Sequence, residues 1–414
     1  MRKSYKSCLR IGGLYLATML GTTSSMAQTI DVLHYWTSGG EATALKTIAD
    51  AYQKRGGTWK DSAVTGSEAQ RASLLTRVAG GEAPGAAVVS LGEVKDLATQ
   101  GLLAPIGDLP SLKDQWPKLF PPLLGERVSV DNELYALPVD LGTSNWLWYS
   151  KKIFDEVGVK PPATWDEFFT VADAIKAKGY LPLAFGGQAW QEALVFRTIL
   201  IGQGGPDFYR IVYSEHNAEA ASGETMIKAF QTFGRLRDYV DEGVANRNWN
   251  DATGLVIADK AGMQIMGDWA KGEFLAAGKK ADVDYGCAIS PGANGALEVS
   301  VDAIVFPKGE NVDVKARDKL AGVIIAPEVQ IAFNLAKGAV PPVLNVDMKG
   351  FDGCSQKVVE QLGNPKALLP SSDMSFTASG VGDIRDLVTE FWDNRDMKPE
   401  DAATRFGEIV ANDK

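Results

Sequence analysis

Tyr35 and Trp36 stand side by side immediately before Ser38-Gly39-Gly40-Glu41, and Trp269 follows Gly267-Asp268. Both places read as the end of a strand beside a turn, where the C-terminal edge of an α/β sheet presents side chains to a cleft. Aromatic rings pack on the C–H faces of sugar rings, while carboxylates and amides fixed at the rim answer the hydroxyls. Carbohydrate binding is the chemistry these residues could carry. A single Trp taken at random is more often core filling. Adjacent Tyr35 and Trp36 weaken that reading, because neighbours on a strand face opposite ways and both cannot enter the same core.

Catalytic signatures fail one by one. The sequence has no H-E-x-x-H, no G-x-x-x-x-G-K-[ST] phosphate loop and no G-x-S-x-G elbow, since Gly142-Thr143-Ser144-Asn145-Trp146 departs at its last position. Gly380-Val381-Gly382 opens a dinucleotide-like pattern, but Arg385 occupies the place of the third Gly. His34 and His216 are the only two His, which leaves little for a His-assisted nucleophile and no metal-ligand spacing. No metal and no cofactor are expected. A glycosidase-like pair of carboxylates stays open, because 52 acidic residues always offer some pair and the separation that matters is spatial.

The elements that must position these groups alternate between two periods. Thr29–Trp36 alternates as a strand, and Leu45, Ile48, Ala49 and Tyr52 follow at helical spacing. Ala69, Ala72, Leu75 and Val78 mark a second helix, and Ala86–Leu91 a buried strand. Further on, Trp146–Tyr149 reads as a strand, and Thr164 with Glu167 forms a capping box that opens a helix through Phe168, Val171, Ala172 and Ile175. Tyr180–Phe185, Ala261–Gly267 and Val299–Pro307 read as strands, and Gln191–Leu200, Gly322–Ala336 and Leu387–Trp392 as helices. Such alternation implies an α/β protein with mostly parallel sheets flanked by helices. No linker separates the two alternating blocks, which suggests that the chain crosses between lobes more than once.

With 414 residues, the chain is long enough for two to four domains of about 100–200 residues each. Lys plus Arg number 42 against 52 Asp plus Glu, a net charge of −10. That balance gives no electrostatic footprint for nucleic acid or anionic lipid. Residues 1–27 read as an export signal: Arg2, Lys3, Lys6 and Arg10 precede the apolar Ile11–Leu20, and Ser25-Met26-Ala27 offers a cleavage site after Ala27. Cys8 sits in the basic start of that signal, too early for a lipid-modified residue. Cys287 and Cys354 remain, and they could bridge in an oxidising compartment or stay apart as buried thiols.

Four stretches carry a family resemblance: Tyr35-Trp36-Thr37-Ser38-Gly39-Gly40-Glu41, Asn145-Trp146-Leu147-Trp148-Tyr149-Ser150-Lys151, Pro161-Pro162-Ala163-Thr164-Trp165-Asp166-Glu167-Phe168 and Gly267-Asp268-Trp269-Ala270-Lys271-Gly272-Glu273. Together they resemble the extracellular solute-binding proteins of carbohydrate ABC importers, and the chain is most similar to the glucose- and mannose-binding branch of Gram-negative periplasms. The resemblance implies two α/β lobes, residues 28–138 with 303–343 and residues 139–302 with 344–414, closing on a sugar about a hinge. It implies that Tyr35 and Trp36 stack on or wall the ring, that Trp269 closes the opposite side, and that Ser38, Glu41, Asp302 and Lys337 bond hydroxyls. The implied partners are inner-membrane permease subunits with a cytoplasmic ATPase, serving a monomer in the periplasm. The chain departs from glucose-binding members at Leu91, Ser379 and Val343, which leaves room for another monosaccharide, a sugar alcohol or a short oligosaccharide. The rivals are a secreted glycosidase or lyase, and a binding protein for a peptide, amino acid or polyamine.

Overall fold

Val32 and Leu33 are both buried although they point to opposite faces, so the first strand, Gln28–His34, lies inside its sheet with helices on either side. A computed structural model of the chain describes residues 28–310, 312–344 and 346–413; the expected export signal, residues 1–27, lies outside them. Gln28–His34 pairs in parallel with Gly57–Ala63 along its full length and with Ala86–Ser90 on its other side. The sheet then turns antiparallel, from Ala86–Ser90 to Asp302–Val305 to Ala136–Pro138. A second sheet runs in the order Tyr285–Ile289, Trp146–Ser150, Ala261–Met266 and Leu181–Leu183, with only the last pair parallel. The two-lobed α/β architecture is as expected, but the sheets are mixed rather than mostly parallel. Every antiparallel pair in the two sheets involves a strand that enters or leaves its lobe on a crossover, either Ala136–Pro138, Trp146–Ser150 or Asp302–Val305. A strand arriving from the other lobe is not bound by the direction that a helical crossover within one sheet imposes.

The crossovers run side by side. Val139 N–H donates to the Asp302 carbonyl at 2.9 Å, and Leu141 N–H to the Val340 carbonyl at 2.7 Å. Beside them Leu297–Ser300 pairs with Gly142–Thr143 and with Leu368–Pro370, a third small sheet at the junction. The single strand expected at Val299–Pro307 is therefore two, Leu297–Ser300 and Asp302–Val305, in different sheets. The single helix expected at Gly322–Ala336 is likewise two, Val314–Ile324 and Pro327–Lys337, bent by 71°. Pro327 is the cause: its ring holds Ala326 extended and supplies no N–H to continue the preceding turn. The helix Ser67–Ala79 forms as read but is rotated, burying Gln70 and Leu74 while Leu75 is 37% exposed. Gln70 turns inward because its Nε2–H donates to the Val88 carbonyl at 3.1 Å, satisfying both groups.

In the second lobe an aromatic core joins Phe196, Phe230, Phe233, Phe391 and Phe406, tying the C-terminal helices to the first part of Ala189–Tyr213, a helical stretch broken at Gly205. Cys287 and Cys354 form a disulfide across 67 residues of sequence, pinning the helix Gly353–Leu362 to the edge strand of the second sheet. Closing a loop of that length removes chain entropy from the unfolded state, so reduction is expected to lower unfolding free energy by about 4 kcal/mol. Urea denaturation with and without reductant, using Cys287→Ser/Cys354→Ser as the reference, measures this loss.

Candidate functional site

Ser38 caps the helix Gly39–Lys54, and the cap fixes the first carboxylate of the site. Glu41 Oε2 accepts from Ser38 Oγ at 3.0 Å, which turns the side chain back over the helix start. Its other oxygen accepts from Lys337 Nζ at 3.1 Å. Lys337 ends the helix Pro327–Lys337, where Gly338 at φ 97° stops the helix. A Cβ on Gly338 would lie 2.4 Å from the Asp268 carbonyl, so only glycine lets the chain pass there.

Lys337 gathers charge around itself. Its ammonium is 3.6 Å from Asp302 Oδ2 and 5.2 Å from the centre of the Trp36 ring. Asp302 opens the strand that returns to the first lobe; it accepts from the Tyr35 hydroxyl at 2.6 Å and from Trp36 Nε1 at 2.9 Å, and its own N–H donates to Asp140 Oδ1 at 2.8 Å. Burial disfavours the Lys337 ammonium, but attraction to Glu41, Asp302 and Asp140 outweighs it and holds the group above the ordinary lysine range. Burial, with repulsion from Asp302 added, pushes the Asp140 carboxyl well above the carboxylate range. The cluster is a buried cation held among acceptors whose remaining lone pairs can still take hydroxyl protons.

The facing wall comes from the second lobe. The Trp269 indole folds back over Gly267, where any Cβ would come within 2.2 Å of the ring. Trp190 packs at 6.4 Å from it with the planes 47° apart. Gly40 N–H donates to Glu273 Oε1 at 2.7 Å across the seam, and a Cβ at Gly40 would sit 2.5 Å from the Gly272 backbone. Glycines at both positions let the two lobes touch there. On the other flank Ser90 hydrogen-bonds Asp373, Arg127 Nη1–H donates to the Met374 carbonyl at 2.8 Å, and Arg385 pairs with Glu68 at 2.9 Å. Between these two sets of contacts lies a cleft of about 1430 Å³.

Six of the seven residues singled out by sequence line this cleft: Tyr35, Ser38, Glu41, Trp269, Asp302 and Lys337. Trp36 does not. It is 1% exposed, packed on Phe333 and donating to Asp302, so the expectation that it walls a ligand ring is corrected. Its place is behind Asp302, as a positioning residue. Tyr35 turns toward the cleft and Trp36 away from it; strand alternation alone does not specify which of the two turns outward, and helix Pro327–Lys337 covers the Trp36 face. Sequence reading missed Trp190, Asp140 and Asp268 as lining residues. Trp190 follows the turn at Gly186-Gly187 and was open to the same strand-end rule that found Trp269, whereas Asp140 and Asp268 carry no local signal.

Asp268 is buried, with Oδ2 accepting from the Thr143 N–H at 2.8 Å and hydroxyl at 3.0 Å. Burial raises its carboxyl from 3.8 to about 7, against lowering by Lys271, Thr143 and Lys337. Between these values the folded chain holds a proton that the unfolded chain has released, so this group's contribution to stability is full below about 4 and declines as pH rises to about 7. Subtracting the pH–stability curve of Asp268→Asn from that of the parent is expected to leave this fall; a flat difference would contradict the protonated Asp268.

Two α/β lobes joined by adjacent crossovers, with an aromatic and polar cleft between them, define a ligand-capturing protein of the two-lobed binding class. The sequence profile of the bacterial extracellular solute-binding protein family matches residues 36–321, more than half of the chain. The chain belongs to that family. It is 38% identical over 392 residues to a probable sugar-binding periplasmic protein of Brucella suis biovar 1 (strain 1330), covering 93% of this chain and 91% of the relative. It is 36% identical over 419 residues to a probable sugar-binding periplasmic protein of Rhizobium meliloti (strain 1021), covering 99% of each. Among solved structures it is similar to the bacterial solute receptor AcbH, described as having an exclusive preference for β-D-galactopyranose, with a TM-score of 0.78 over 93% of this chain and 98% of that one at 19% identity. At that identity the likeness shows the shared fold.

Proposed function

We propose that this protein is the periplasmic sugar-binding subunit of an ABC importer. It captures its ligand between lobes comprising residues 28–138 with 303–343 and residues 139–302 with 344–414. The observation that carries the reading is the pairing, across one cleft, of an aromatic wall, Trp190 and Trp269, with the Glu41–Lys337–Asp302 cluster. Rings stack on the first; hydroxyls bond to the second. Relatives of similar length named as sugar-binding periplasmic proteins support it.

In this account Tyr35, Ser38, Glu41 and Lys337 meet the sugar from one lobe, Trp269 with Trp190 from the other, and Asp302 from the crossover between them. A sugar touching both lobes binds their closed arrangement more strongly and shifts the population toward it. Inner-membrane permease subunits, driven by a cytoplasmic ATPase, then receive the closed monomer. No bond in the sugar is made or broken. A dissociation constant around the micromolar range, about −8 kcal/mol, suits capture followed by release.

Native mass spectrometry of gently purified protein is the test. A retained neutral mass that digests and derivatises as a saccharide supports the reading; a retained peptide or amine, or turnover of chromogenic glycosides abolished by changing one carboxylate, overturns it.

A further inference from the structure

The short helix Ala270–Ala276 begins directly after Trp269 and turns one flank to the other lobe. A Cβ at its Gly272 would lie 2.9 Å from the Lys337 carbonyl, and its Glu273 Oε1 accepts from the Gly40 N–H at 2.7 Å. The opposite flank carries Lys271 and Phe274, three positions apart and so on one face. Both side chains are buried.

These two side chains meet the two arms of the disulfide. Phe274 stacks on Tyr285 with ring centres 4.2 Å apart, and Cys287 lies two residues further along the same strand, Tyr285–Ile289. Lys271 Nζ donates to Asp352 Oδ1 at 3.1 Å and to the Ser355 hydroxyl, the residues on either side of Gly353-Cys354. Asp352 Oδ1 also accepts from the Ser355 N–H at 3.0 Å, capping the helix Gly353–Leu362. The bridge therefore closes a bracket around the side chains that anchor the seam helix, with the strand as one arm and the helix cap as the other. Lys357 Nζ also links the arms, donating to the Cys287 carbonyl at 2.8 Å, but a lysine stem is flexible where a disulfide is not. A buried ammonium must keep its acceptors, so the seam helix follows wherever Asp352 and Ser355 are placed.

From this bracket we infer that Lys271 is a positioning residue for capture: through it the Cys287–Cys354 bridge sets the seam helix, and with it the Trp269 wall and the Gly40–Glu273 contact between lobes. The bridge then acts on the cleft as well as on the stability of its own lobe. The positional part stands on the fold alone, whereas the effect on capture rests on the sugar-binding reading above.

Fluorine NMR of the fluorotryptophan-labelled protein tests it. The Trp269 resonance is assigned by its loss in Trp269→Phe, and Trp392, stacked on Phe185 in the second lobe, serves as the control. Cys287→Ser/Cys354→Ser is expected to shift or broaden the Trp269 resonance and to leave Trp392 in place. Lys271→Met is expected to do the same, and removing the bridge in that background is expected to add nothing. Asp352→Asn/Ser355→Ala, which keeps the bridge, is expected to reproduce Lys271→Met. A Trp269 resonance indifferent to the bridge or to Asp352→Asn/Ser355→Ala overturns the inference. So does one displaced as far by loss of the bridge without Lys271 as with it, or one displaced only together with Trp392, which marks a general loosening of the lobe. Titration with D-glucose, D-galactose, D-mannose, D-xylose and their disaccharides is expected to give several-fold weaker affinity in each variant whose Trp269 resonance moves. Unchanged affinity beside a displaced Trp269 overturns the effect on capture. A displaced Trp269 in a protein that binds no saccharide supports the positioning and overturns the sugar-binding reading instead.

Discussion

Replacing Lys337 with Met is expected to lower unfolding free energy by about 3–5 kcal/mol, the loss that follows when one member of a buried charge cluster is removed and its partners stay. The side chain is 5% exposed and its ammonium is the cation shared by Glu41 and Asp302, with Asp140 close behind. Methionine fills a similar volume but leaves those carboxylates facing one another with no cation between them. The comparison that isolates charge from packing is the double variant Lys337→Met/Glu41→Gln. Removing one carboxylate as well as the cation is expected to recover a large part of the loss in urea denaturation. A double variant no more stable than the single one would assign the effect to packing. Sugar affinity is expected to stay low in both, because the hydroxyl partners on this wall are gone.

Trp269→Ala is expected to weaken sugar binding roughly thirtyfold, about 2 kcal/mol, while leaving folding stability nearly unchanged. The split follows from position. Trp269 is only partly buried, lies over Gly267 and meets Trp190 at the cleft wall, so its loss removes a contact plate rather than a piece of core. Trp36→Ala should behave in the opposite proportion, since that indole is buried against Phe333 and holds Asp302 from behind. Equal effects of the two substitutions on affinity and on unfolding would contradict the distinction between wall and support.

How much was legible in the sequence depended on whether the signal was local. The alternation of strand and helix patterns was readable, because Val32, Ile48 and Ile175 fall at the spacings their buried faces demand. Strand direction was not, because the crossovers at 139–141 and 301 decide it, and nothing in the local pattern of Asp302–Val305 says which neighbour it will meet. The break at Pro327 was visible in principle: a proline within an apolar stripe divides it unless something else compensates. Asp302 and Lys337 came to notice through resemblance alone, since an isolated carboxylate and a lysine at a helix end ordinarily read as solvated charges. Their pairing with Glu41 joins positions 41, 302 and 337, and only the folded chain brings these together. Trp36 was misread because alternation along a strand specifies opposite faces without specifying which face the next helix will cover.

Calorimetric titration of the protein with a panel of neutral hexoses, pentoses, polyols and short oligosaccharides, beside amino acids and polyamines, bears most directly on the claim that a sugar is gripped between aromatic wall and charged cluster. The account predicts saturable one-site heat with at least one neutral saccharide, a micromolar or tighter constant, and a constant about thirtyfold weaker in Trp269→Ala, with weakening in Lys337→Met as well. Silence from every saccharide at millimolar concentration, or saturable heat from a charged amine or amino acid alone, would contradict it.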